Sequence, residues 1–219
     1  MISWLYPIVI CNNLLLLVSA HGYLSQPAAI YKNDLKIKTS YAATVDGNSV
    51  FGGLKWNDSP DKNSDQLAKK IYDGSMPELK TFFANYVVGC PSNDLNSMIS
   101  VDTLSSFKWQ NDEEHKGFIP SHEGPCEVWI DSTKVFTDTN CARKYTSYPA
   151  EIAISYSTCS GTCQFEFYWL ALHEPMWQLY KACAIITNNQ APTIRSTTNV
   201  SCYSPTPSST PCPVKKEFC

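Results

Sequence analysis

Six short runs between Ser106 and Thr187 constrain the fold more than any other feature of this 219-residue chain. They are "SFKWQN", "CEVWID", "TKVFTD", "EIAISY", "CQFEFYWLALH" and "ACAIIT". Each is dense in β-branched and aromatic residues, and turn chemistry such as "SHEGP", "DST" and "CSGTC" separates them. Short, evenly spaced strands of this kind pack as antiparallel sheets face to face, so the expected class is an all-β sandwich. One stretch breaks the pattern. From Pro60 to Ala84, Leu67, Ile71 and Leu79 recur among Lys69, Lys70 and Glu78, which reads as a helical insertion over one end of the sheets.

The chain opens on "MISWLYPIVICNNLLLLVSA", an apolar run followed by the small residues Val18, Ser19 and Ala20. This is the pattern of a secretory signal peptide over residues 1–20, with cleavage after Ala20 making His21 the first residue of the mature protein. The run is too short and too interrupted by Cys11, Asn12 and Asn13 to span a bilayer. Residues 21–187 form one domain. Residues 188–219 are rich in Ser, Thr and Pro and poor in large apolar residues, so they read as a tail.

Cysteine usage agrees with secretion. Of ten cysteines, Cys11 falls in the signal segment, and the rest show no zinc-finger spacing, which points to disulfides. Fifteen pairings are open to six core cysteines. The sandwich favours Cys126 with Cys141 across a hairpin, Cys159 with Cys163 around a small loop, and Cys90 with Cys183 tying the insertion to the last strand. Cys202, Cys212 and Cys219 lie in the tail, which leaves an odd thiol. Sequons at Asn57 and Asn199 suit glycosylation in a secretory pathway. A net charge of −3 gives no support to nucleic-acid binding.

Four histidines follow the signal segment: His21, His115, His122 and His173. His115 sits in "QNDEEHKGF", a charge run that reads as a solvated loop. His122, in "SHEGPCEVWID", stands before a Gly-Pro turn and ahead of a strand, at a sandwich end. A first-residue histidine carries an α-amine with a reference pKa of roughly 7.7 to 8, so amine and ring can chelate one metal together. A second imidazole from His122 would complete a planar set of three nitrogens, which suits Cu(II) better than tetrahedral zinc. Gln178 and Tyr180 alternate in "WQLY" and so share a strand face, where a phenol could approach the metal and an amide could bond an oxygen beside it.

Together "HGYLSQPA", "HEGPCEVWID" and "FYWLALHEPMWQLYKAC" resemble the copper-dependent lytic polysaccharide monooxygenases, most of all the oomycete group, auxiliary activity family 17. The likeness runs from His21 to about Thr187. It implies an immunoglobulin-like or fibronectin-like sandwich with one copper ion at a flat end. His21 and His122 would be the metal ligands, Tyr180 the axial aromatic, and His173 and Gln178 residues beside the oxygen site. The implied activity is oxidative cleavage of a cell-wall polysaccharide, using an external electron donor and O2 or H2O2. For the oomycete group that substrate is homogalacturonan, the backbone of pectin. A monomer with no membrane or nucleic-acid partner is expected.

Lys32, Lys36, Lys38 and Lys55 are available to favour such a polyanion. Tyr23, Tyr31 and Trp56 are the aromatics that cellulose or chitin would require instead. A glycoside hydrolase would need two facing carboxylates, and Asp112 to Glu114 offer only sequence neighbours. Two other readings stay open: a non-catalytic copper carrier with the same ligands, and a cell-wall adhesion module that binds polysaccharide without metal.

Overall fold

The computed structural model describes residues 22–31, 38–91 and 96–190. The signal segment, His21, Lys32, Lys36 and the three tail cysteines lie outside them. In chain order the elements are β1 (Tyr23–Gln26), β2 (Ala43–Asp46), α1 (Gly47–Val50), α2 (Pro60–Tyr72), α3 (Leu79–Phe83), β3 (Met98–Ser100), β4 (Ser106–Gln110), β5 (Cys126–Ile130), β6 (Thr133–Asp138), α4 (Cys141–Lys144), β7 (Ala150–Ala153), β8 (Gly161–Ala171) and β9 (Met176–Asn188).

Two sheets form, and the expected mostly-β class holds. The smaller is antiparallel, in the order β1-β4-β7, and the larger runs β2-β9-β8-β5-β6. β9 is long enough to take two partners on one edge, β2 antiparallel along Ala43 to Asp46 and β3 parallel along Met98 to Ser100. Alternation along the strands assigns the layers. Phe165, Phe167 and Trp169 of β8, Tyr180 and Ala182 of β9, and Val128 of β5 turn toward Leu24, Phe107, Trp109 and Ile152 of the small sheet. That shared layer is the main core.

The residues between these point the other way. Tyr168, Leu170, Trp177 and Leu179 make the outer face of the large sheet equally apolar, so it must be covered. Leu67 of α2 and Leu79, Phe82 and Phe83 of α3 cover it. The helical insertion expected from the sequence thus packs on the outer face of the large sheet, over the part that carries these residues. α2 begins with Pro60 and carries Asp61 in its first turn and Lys69 and Lys70 in its last, each suited to the helix dipole. Its buried Asn63 donates through Nδ2 to the Leu172 carbonyl at 2.9 Å, fixing the helix to the β8–β9 turn.

Charged residues also enter this outer layer. Glu166 accepts from Lys80 at 2.6 Å and pairs with Lys181 at 3.2 Å, while Glu127 accepts from the Trp129 indole at 2.8 Å and faces Lys134 at 3.5 Å. Burial pushes the Glu166 carboxyl up, but the Lys80 bond, the Lys181 charge and the Tyr168 hydroxyl outweigh it and hold it below the ordinary value. Among the described residues the disulfides are Cys90–Cys183, Cys126–Cys141 and Cys159–Cys163, the set favoured from the sequence. Among the described residues no helix is long and apolar enough to cross a membrane.

Candidate functional site

β8 ends at Ala171 and β9 begins at Met176, so the turn between them carries His173 to the end of the sandwich. The loop before β5 runs beside it. Leu170 N–H donates to the Pro125 carbonyl at 3.0 Å and Leu172 N–H to the Glu123 carbonyl at 2.9 Å, extending the β5–β8 ladder past the strand. This pairing sets His122 against the turn. The two imidazoles stack, with centroids 3.9 Å apart and 29° between planes.

Several contacts hold the His122 loop. Gly124 has φ of +152°, and a Cβ there would lie 1.9 Å from the Leu170 carbonyl oxygen, so no side chain fits between loop and strand. Arg143 donates to Glu123 at 2.6 Å and pairs with Asp65 of α2 at 3.0 Å. Asn140 adds a bond to Glu123 at 2.6 Å. The loop is thus tied to α2 and α4 as well as to β8.

His122 is only 5 % exposed, and its Nδ1 lies 3.0 Å from the Ser121 hydroxyl. The Ser121 hydroxyl thereby orients the His122 ring and selects its tautomer, as a neighbouring group commonly does for an imidazole ligand. His173 donates through Nε2–H to the Glu174 carboxylate, 3.0 Å away, and its buried Nδ1 has no hydrogen-bond partner. Burial lowers the His173 pKa, against the raising effect of Glu174.

Trp169 connects the histidines to the phenol. Its ring centroid is 6.2 Å from that of His122 and 4.6 Å from that of Tyr180, on which it stacks. Tyr180 donates its hydroxyl to Gln178 Oε1 at 2.5 Å, so the shared strand face inferred from "WQLY" is realised. Burial first, then the Tyr41 phenol and the Glu174 carboxylate, push the Tyr180 pKa upward and keep the phenol protonated. Gly22, covalently next to His21, is buried with Trp109 and the Gln110 carbonyl so close that a Cβ would meet the indole nitrogen at 2.3 Å. Trp109 in turn lies 6.4 Å from Tyr180.

The structure therefore brings His122, His173, Gln178 and Tyr180 to one end of the sandwich, while His21 lies outside the described residues. Those residues contain no group of three His, Cys, Asp or Glu side chains that could hold a metal, so a copper site here depends on the His21 amine and ring in addition to His122. The donor set fits that requirement: one imidazole at a sandwich end, beside a buried, unpartnered nitrogen and a protonated phenol. His115 is exposed, its ring edge-on to Tyr148 at 5.0 Å.

Two expectations about the surroundings change. Trp56 is 1 % exposed and packs edge-on against Trp177 at 4.6 Å, because the helical layer needs its bulk, so it cannot be a sugar platform. Tyr31 is half-buried against the main core, and burial raises its pKa to about 12. Trp169, Tyr41 and Tyr148 escaped sequence reasoning. Trp169 was visible only as one of several strand aromatics, and nothing local marks the other two. The chain matches no known family model and no curated protein sequence.

Proposed function

We propose that this protein is a secreted, copper-dependent polysaccharide monooxygenase with an immunoglobulin-like sandwich, acting on homogalacturonan. The observation that carries the reading is the convergence of the buried His122–His173 stack and the Tyr180–Gln178 pair around Trp169, at the end where the chain continues into His21. His122, His173, Gln178 and Tyr180 are the residues that the resemblance assigns to the site. Ligation falls to His21, through amine and ring, and to His122. Copper, when bound, supplies the one-electron couple that lets an external donor and O2 or H2O2 oxidise the polymer.

The residues' own work follows from their chemistry. His122 is fixed by Ser121 and by the stack, so little ordering remains to be done on metal binding. Tyr180, protonated and held by Gln178, offers a phenol edge without adding negative charge. His173 can hold a proton, and the Gln178 amide can donate a hydrogen bond, at this end of the sandwich. With H2O2 as oxidant, one C–H of the sugar becomes C–OH and the second oxygen leaves as water, after which the glycosidic bond breaks by elimination. No carboxylate pair is needed.

Mass spectrometry of products from polygalacturonan, cellulose and chitin, with copper and ascorbate present, tests this reading. Oxidised oligogalacturonides are expected. Copper binding with no oxidised product from any polymer would favour the copper-carrier reading instead.

A further inference from the structure

We infer that Asn57 carries an N-linked glycan whose first N-acetylglucosamine lies in a groove beside the β8–β9 turn. This rests on the proposed secretion and on nothing about copper. The triplet Asn57, Asp58, Ser59 meets the acceptor pattern, and all three residues are exposed in the loop ahead of α2. Asn199, in the other such triplet, lies outside the described residues.

The loop displays Asn57 by tying its neighbours inward. The Lys55 carbonyl accepts from Gln66 of α2 at 3.0 Å, and the Trp56 and Asp58 carbonyls share the Nδ2 of buried Asn63 at 3.1 and 3.2 Å. Asn57 falls between these anchors, and among the described residues its own side-chain amide makes no hydrogen bond. Asn63, Asn85, Asn140 and Asn188, by contrast, all donate through their amides to the fold. A sugar on Asn57 Nδ2 therefore displaces no internal contact.

What the sugar would meet is a second, separate feature. Asn57, Asn48, Lys55, Trp56 and Pro175 line a groove of about 300 Å³. Pro175 is held in place through its carbonyl, which accepts from Gly47 N–H at 2.9 Å. Its ring gives an apolar edge for the acetamido methyl. Lys55, which forms no ion pair among the described residues, gives a donor, and the Asn48 side-chain carbonyl gives an acceptor for amide and hydroxyls. A glycan seated here stands beside the turn that carries His173. Its attachment needs no redox partner. From a lipid-linked pyrophosphate donor, the Nδ2–C1 bond forms, the C1–O bond to pyrophosphate breaks, and Nδ2 gives up one proton.

The test is peptide mapping of the full-length chain secreted by a glycosylating eukaryotic cell. The Asn57 peptide is expected to carry glycan and to read as aspartate after peptide N-glycosidase. Asn57→Gln and Ser59→Ala should both abolish it, and Ser59→Thr should retain it. Hydrogen exchange in the peptides spanning Lys55 and Glu174 should be several-fold faster in Asn57→Gln than in the glycosylated wild type, with copper affinity unchanged. A bare Asn57 in secreted protein overturns the site. A glycosylated Asn57 whose loss leaves exchange at Glu174 unaltered overturns the seat in the groove. A chain retained in the cell with residues 1–20 uncleaved would remove the secretory reading, and this site with it.

Discussion

The His122 ring stacks on the His173 ring at 3.9 Å, while the Nδ1 of each differs in its partner: a serine hydroxyl for His122, no hydrogen-bond partner for the buried His173 nitrogen. On the proposed reading only His122 ligates the metal. His122→Ala is expected to abolish tight copper binding, and His115→Ala to leave it unchanged. Titration calorimetry with Cu(II) ranks them, and the opposite order would reject His122 as the ligand.

A mature chain beginning one residue before His21 should bind copper weakly, because its α-amine would be converted to an amide that no longer ligates. Comparing such a variant with authentic His21 material, after N-terminal sequencing of both, checks this. Equal affinity would remove the amine from the ligand set.

Tyr180→Phe keeps the stack on Trp169 but leaves Gln178 Oε1 without its donor. The loss should be about 1 kcal/mol of stability, close to the net worth of one hydrogen bond. In a domain of this size that is a fall of roughly 2–4 °C in Tm, readable by calorimetry.

Gly124→Ala should be far more damaging. Its Cβ would sit 1.9 Å from the Leu170 carbonyl, so loop and strand must separate and carry His122 away from His173. A loss above about 3 kcal/mol, beyond the ordinary range for a point change, is expected in denaturant unfolding. A loss of less than about 1 kcal/mol would show that the loop is not wedged against β8.

The Glu166 cluster gives a pH signature. The folded pKa of Glu166 lies below its ordinary value, so the carboxylate contributes stability above the unfolded pKa, and that contribution disappears as pH falls through the folded one. Lys80, Lys181, Tyr168 and, through Trp129, Glu127 and Lys134 are the charged and polar groups around it. Glu166→Gln strands two lysines and should cost about 3 kcal/mol near neutral pH. The difference from wild type should shrink once pH drops below about 4. A gap that stayed constant across this range would mean that the glutamate charge is not what stabilises the layer.

Much of the architecture is legible in the sequence because β8 and β9 alternate so regularly. Gln178 and Tyr180 share a face for that reason alone, and the cysteine pairing follows once the strands are ordered. The position of the helical layer was not legible. An apolar outer face such as Tyr168, Leu170, Trp177 and Leu179 looks the same in sequence as a second inner face, and only the folded sheet shows which side α2 and α3 must cover. Trp56 misled for the same reason, since nothing near it in the chain reveals Trp177. Contacts like Tyr148 with Asp112 join residues 36 apart through two loops, and no periodicity encodes them.

The two-faced character of β8 and β9 also limits how the chain can vary in length. Successive side chains along a strand alternate sides, so inserting or deleting one residue between Met176 and Tyr180 would send the phenol into the helical layer and bring Leu179 to the histidines. Homologous chains should differ by whole pairs of residues here, or not at all. Loops bounded by turns, such as the one starting at Asn111, are free of that parity.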